Sequence, residues 1–166
     1  GQLPPVGIPR SLSGKGGVAN TWQAVYPAIG TRRGEVGLLL GCVARLTDVA
    51  TLNSAIFVLN HLGYTVHVPS TQTCCGALHQ HGGDRQAAAQ LAQQNTRAFE
   101  GLGLNLRAII STASGCGVQL TEYPLCNASE TPEHSTLQSL HAKEEAGEFS
   151  AKVMDISAFL ATAEEW

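Results

Sequence analysis

The sequence predicts an α/β fold with a parallel sheet, and three observations carry that prediction. Short continuous apolar runs of strand length recur at Val36–Cys42, Tyr64–Val68 and Arg107–Thr112. Such runs fit strands buried on both faces. Between them lie longer segments with helical spacing: Leu52, Ile56 and Leu59 recur at i, i+4 and i+7. Strand, helix, strand, helix, strand in this order is the pattern of crossover-linked parallel strands, a Rossmann-like βαβαβ arrangement.

Each element has its own signals. Residues 1–34 read as an irregular linker from an upstream domain, because Pro4, Pro5 and Pro9 resist regular structure and Ser13, Gly14, Gly16 and Gly17 are flexible. Trp22, Tyr26 and Ile29 are positioned to dock that arm. Lys15 among glycines lacks the Gly-Lys-Ser/Thr ending and preceding strand of a phosphate loop. The domain proper is expected over 35–166. After the first strand, residues 47–62 form a helix capped by Thr47 or Asp48 and stopped by Gly63. Pro69 ends the second strand. A loop follows, then a helix over 84–100 rich in Ala and Gln. Past the third strand come a short helical stretch to Tyr123, a loop over 124–133 and a polar helix over 135–146. A fourth strand over 153–156 and a helix capped by Ser157 complete the reading.

Composition sets limits on function. The 166 residues include 43% apolar and 14% charged side chains, enough apolar content for one cored domain. No apolar run approaches the ~20 residues of a membrane-spanning helix. A net charge of −3, ten Lys plus Arg and 5% aromatics argue against a nucleic-acid partner. Residue 1 is Gly and the one Met is Met154, so the sequence reads as a middle section of a longer chain.

The cysteines are the informative residues. Cys42 closes the first strand, Cys74 and Cys75 follow the second, and Cys116 follows the third. In a parallel sheet these strand ends share one edge, the edge where open α/β sheets place ligands. The gaps of 31 and 40 residues each hold one helix and one strand, which returns the chain to that edge. Glycine accompanies each: Gly41-Cys42, Cys75-Gly76 and Gly115-Cys116-Gly117. It lets backbone N–H groups approach a bound group. Four thiolates suit a structural zinc or an iron–sulfur cluster, and the absence of two tight Cys-x₂₋₄-Cys pairs favours the cluster. A vicinal disulfide between Cys74 and Cys75 would be strained.

At these residues the sequence resembles a known family. Gly41-Cys42, Thr73-Cys74-Cys75-Gly76-Ala77-Leu78 and Thr112-Ala113-Ser114-Gly115-Cys116-Gly117 are similar to the cysteine-rich CCG domain of heterodisulfide reductases and of lactate-utilisation and glycolate oxidase proteins. The run "CCGALHQH", with "TASGCG" and the following Glu122-Tyr123, most resembles glycolate oxidase iron–sulfur subunits, over residues 35 to 163. The resemblance implies an electron-transfer fragment, the first of two CCG domains, relaying electrons from flavin-containing partner subunits through a Cys-bound cluster. It implies Cys42, Cys74, Cys75 and Cys116 as ligands of a [4Fe-4S] cluster, with zinc as the alternative metal. It implies a cytoplasmic location with room for quinone or peripheral association at the inner membrane face. The sequence departs from the family's closing Cys-x₂-Cys: the missing Cys falls at Ala113 or at Gln119. That leaves four thiolates, one short of a five-Cys cluster and enough for an ordinary four-thiolate one. The alternative function is a zinc- or thiol-bearing docking module.

The remaining candidates read as ordinary. Cys126 follows Pro124 in a loop with nothing to stabilise a thiolate. His79 and His81 lie beside the CCG turn and read as solvated or structural, with ligation of a cluster as the sharper option. His61, His67, His134 and His141 have no partner that sequence can name. Asn127-Ala128-Ser129 matches a glycosylation pattern that recurs by chance. Glu144, Glu145 and Glu148 read as a solvated helix face. No nucleophile–base pair or matched pair of carboxylates is evident; the resemblance implies that the substrate-oxidising site lies on another subunit, and a thiol–disulfide enzyme using Cys74 and Cys75 is a third reading.

Overall fold

The computed structural model describes residues 22–126 and 137–163. Lys15, His134 and the Asn127-Ala128-Ser129 pattern lie outside the described residues. The described strands are β1 (Val25–Tyr26), β2 (Gly34–Leu39), β3 (Tyr64–His67), β4 (Ala108–Ser111) and β5 (Val153–Asp155). The helices are α1 (Ala44–Thr47), α2 (Val49–His61), α3 (Ala77–His81), α4 (Arg85–Glu100), α5 (Ser114–Thr121), α6 (Tyr123–Cys126), α7 (Leu137–Ala151) and α8 (Ile156–Thr162).

One five-stranded sheet runs in the order β1-β3-β2-β4-β5. β2 pairs in parallel with β3 on one side and β4 on the other, and β4 pairs in parallel with β5. The parallel α/β expectation therefore holds. The chain leaves β2 for β3 in one direction, then crosses back over β2 to reach β4. β2 is thus the strand at which the winding reverses.

Helices cover both faces, as a parallel sheet requires. On one face Val36, Leu38 and Leu40 meet Leu52, Ile56 and Leu59 of α2, the stripe read from sequence, and Phe159 of α8. On the other, Leu39 and Ile109 meet Ala92 and Phe99 of α4, Leu120 of α5 and Phe149 of α7. The alternation of Leu38 and Leu39 between the two cores follows from the two-residue period of a strand. Burying a Leu or Phe in this way is worth about 1.5–3 kcal/mol per side chain. Gly37 completes the packing: a Cβ there would lie 2.7 Å from the buried Phe99 ring.

Several elements differ from expectation. Val25 and Tyr26, inside the stretch expected to be irregular, pair antiparallel with β3 at Val25↔His67 and Tyr26↔Val66. Trp22 and Tyr26 pack against the core, as expected for docking residues, whereas Ile29 is half exposed. The first strand stops at Leu39, short of Cys42. The helix expected over 47–62 is present as α2, with Asp48 in the N-cap position and its carboxylate accepting from the Thr51 hydroxyl at 2.6 Å, but a further short helix, α1, precedes it. α3 and α6 occupy segments expected to be loop. α7 runs on to Ala151, past the expected end at 146, with Glu144, Glu145 and Glu148 exposed. Asp155, in place of the expected Ser157, caps α8 by accepting from the Ser157 N–H. Asp84 caps α4 similarly, through the Ala87 N–H.

The end of β2 is held by a side chain. Gln72, nearly fully buried, accepts from the Leu40 N–H at 2.7 Å and donates to the Leu38 carbonyl at 3.2 Å. Its amide continues the ladder where β3 has already ended.

Two substitutions test these contacts. Gly37→Ala forces Cβ into the Phe99 ring and is expected to cost about 1–3 kcal/mol by overpacking, measured by urea denaturation. Gln72→Leu leaves two buried backbone groups without partners and is expected to cost about 2 kcal/mol in the same measurement.

Candidate cysteine-lined metal centre

The cysteine edge forms where the parallel strands end. Beyond β2 the chain turns at Gly41, with φ of 70°, and reaches Cys42. Beyond β3 it runs through Gln72 to Cys74 and Cys75, then turns at Gly76, with φ of 88°, into α3. Beyond β4 it enters α5, whose third residue is Cys116. Positive φ disfavours side chains with a Cβ, which accounts for glycine at both turns. A Cβ on Gly41 would also sit 3.8 Å from Cys116 Sγ, so the glycine keeps the space beside that sulfur open.

All four cysteines line one cleft of about 450 Å³. Apolar groups of Val43, Ala44, Ala77, Leu78 and Ala113 make up much of its wall, with Thr47 and Asp48 at one side. Cys75 is buried, and Cys42, Cys74 and Cys116 are partly exposed. Hydrogen bonds link the thiols in series, Cys42 with Cys74, Cys74 with Cys75 and Cys75 with Cys116. Among the described residues, no three His, Cys, Asp or Glu side chains are gathered as a single metal ion requires.

Proximity distorts the acidity of these thiols. The Cys75 thiol donates to Cys116, and this bond together with burial pushes Cys75 far up. The same bond pulls Cys116 below the ordinary thiol range. Burial, the Cys74 hydrogen bond and neighbouring charge push Cys42 up. Four thiolates in one cleft repel one another, and a cationic group bound among them would relieve that repulsion.

Backbone donors already face the sulfurs. The Gly76 N–H reaches Cys74 Sγ at 3.5 Å, and the Ala77 N–H bonds to Cys75. Four thiols, inward N–H groups and a largely apolar wall fit the donor set and setting of an iron–sulfur cluster.

The other candidates lie apart from the cleft lining. Cys126 Sγ sits 3.2 Å from Gln119 Nε2 and 3.9 Å from Gln80 Oε1. Gln119, at one of the two positions where the family pattern would place another Cys, is buried against that thiol. His79 is exposed and faces Asp84 at 3.6 Å, and His81 is also exposed. His61 bonds the Phe57 carbonyl through Nδ1.

Two groupings have no signal in sequence spacing. His67, at the end of β3, contacts Glu35 near the start of β2, and Glu35 also pairs with Arg32. Asn95 and Tyr123, both fully buried, bond the backbone of the tandem cysteines. Tyr123 falls within the family-like Glu122-Tyr123 dipeptide, which by itself names no role, and Asn95 is masked by a polar, Gln-rich helix.

Among known proteins, the chain is 34% identical over 134 residues to the "Probable glycolate oxidase iron-sulfur subunit" of Bacillus subtilis, covering 81% of this chain and 28% of that protein. It is 29% identical over 90 residues to "Lactate utilization protein A" of Anoxybacillus flavithermus, covering 54% of this chain and 36% of that one. It is 33% identical over 93 residues to a subunit of the fumarate reductase (CoM/CoB) of Methanothermobacter marburgensis, covering 54% and 18% respectively. The chain thus spans well under half the length of these relatives. No solved structure matches it with significance. The model of the CCG cysteine-rich domain matches residues 36–121, a span that contains β3, β4, most of β2 and all four cleft cysteines, and the chain belongs to that family.

Proposed function

We propose that Cys42, Cys74, Cys75 and Cys116 hold an iron–sulfur cluster and that this domain relays electrons within a larger oxidoreductase complex. The observation that carries the reading is the convergence of these four thiols, from three separate strand ends, on one cleft. Among the described residues no three His, Cys, Asp or Glu side chains are gathered as one metal ion requires, and four thiols spread around one cleft suit a group with several metal atoms better than one zinc ion. Relatives named as iron–sulfur subunits support the same reading.

The finer assignment is a four-thiolate [4Fe-4S] cluster, since this sequence has Ala113 and Gln119 at the positions open to a further Cys. The complex is of the glycolate oxidase type, in which flavin-containing partner subunits oxidise a 2-hydroxy acid. The cluster, when bound, supplies one-electron redox chemistry. This chain's residues supply the thiolates, the Gly76 and Ala77 N–H donors and a wall that limits water. The electrons would pass to a quinone or another carrier on the cytoplasmic side. Among the described residues no helix is long and apolar enough to cross a membrane. Domain organisation follows the same reading: a CCG domain over 35–166, the first of two, and before it a linker over 1–34 whose residues Val25–Tyr26 dock onto the domain's sheet as β1.

Anaerobic purification of the full-length protein is expected to give a brown sample with an EPR signal on reduction. A colourless protein with stoichiometric zinc would sink the cluster assignment in favour of a structural docking module. Single Cys→Ser variants at 42, 74, 75 and 116 are each expected to lose most of the bound iron. Cys126→Ser is expected to retain it. Iron analysis of the five variants reads out both.

A further inference from the structure

We propose that Asn95 and Tyr123 are positioning residues for the tandem cysteines: together they fix the backbone of residues 73–75 so that both thiols face the cleft. The inference rests on the cleft being the binding site.

The need for such a device arises from geometry. Adjacent residues in extended chain point their side chains to opposite sides. Cys74 and Cys75 nevertheless line the same cleft. The backbone between them must leave extension, and its polar groups then need partners other than a strand ladder.

Two side chains supply those partners. Asn95 Oδ1 accepts from the Thr73 N–H at 2.8 Å. Asn95 Nδ2 donates to the Cys74 carbonyl at 2.9 Å and to Tyr123 Oη at 2.8 Å. Tyr123 Oη donates to the Cys75 carbonyl at 3.1 Å. Both hydrogens of the amide and the one phenolic hydrogen are used, and the Thr73 donor fixes which way the amide faces. Both residues are fully buried, so no water competes for these bonds. Each side chain is itself braced. Asn95 projects from the sixteen-residue α4, and the Tyr123 ring stacks on Phe149 with centroids 5.4 Å apart.

Tyr123→Phe keeps the stacked ring and removes only the hydroxyl. Asn95→Asp keeps the acceptor for Thr73 and removes both donated bonds. Both are made in the full-length protein. In metal-free samples, iodoacetamide alkylation resolved by mass spectrometry is expected to run about threefold to tenfold faster at Cys74 and Cys75, relative to Cys42, than in the wild type. In iron-loaded samples, release of iron to a chelator is expected to quicken by a similar factor, with a shifted reduction potential. Phe159→Leu, on the opposite face, controls for general loss of stability and is expected to leave both ratios unchanged. Unaltered alkylation ratios in both variants would overturn the proposal, as would an equal change in the Phe159→Leu control. A wild-type protein that takes up no iron would overturn the cluster reading alone, because the alkylation ratios still decide this one.

Discussion

The parallel pairing of β2 with β3 on one side and β4 on the other is the constraint on which the rest depends. Register across this trio runs Gly34↔Tyr64 and Val36↔Val66 on one side and Val36↔Ala108 on the other. Three strands that start nearly level and run the same way end at one edge. Cysteines with 31 and 40 residues between them therefore meet without any contact being specified between them in sequence. The buried faces hold the register, since a one-residue slip would exchange the Leu38 and Leu39 environments.

A second layer of organisation joins the core to the cleft. Phe99 rests on Gly37 at the middle of β2 and lies 5.7 Å from Phe149 between ring centroids. Phe149 stacks on Tyr123, and Tyr123 bonds the Cys75 carbonyl. On the β2 side, Gln72 ties the strand's end to the segment just before Cys74. The cysteine loop is thus fastened to both the central strand and the helices on one face. From Gln72 to Gly76 the loop is half-buried to buried, and there its backbone is satisfied in part through Asn95 and Tyr123 in place of solvent.

What sequence made legible was what depends on local pattern. The apolar runs at Val36, Tyr64 and Arg107 located the central strands, and the cysteine positions after them located the edge. The stripe at Leu52, Ile56 and Leu59 located α2. What escaped depends on tertiary context. β1 is two residues long and exists only through its pairing with β3. α3 is five residues, Ala-Leu-His-Gln-His, with no side-chain cap, and its start is set by the left-handed Gly76. Asn95 and Gln72 are polar side chains in polar surroundings, indistinguishable in a single sequence from solvated ones. Their burial is what gives them a role, and burial is not written in residue type. The cleft cysteines were readable because thiols are few, and their spacing is countable. Their supports were not, because amides are common.

The two outermost strands have a consequence for how this domain can associate. β1 spans two residues and β5 three, and β1 lies antiparallel along the outer side of β3. An open sheet edge recruits other chains in proportion to the length of its unpaired backbone. Edges this short give an incoming strand little to zip onto. Growth of the sheet from one molecule into another is therefore disfavoured, and fibrillar stacking with it. Among the described residues, helical and loop surfaces make up most of what such a short-edged sheet leaves open to a neighbour.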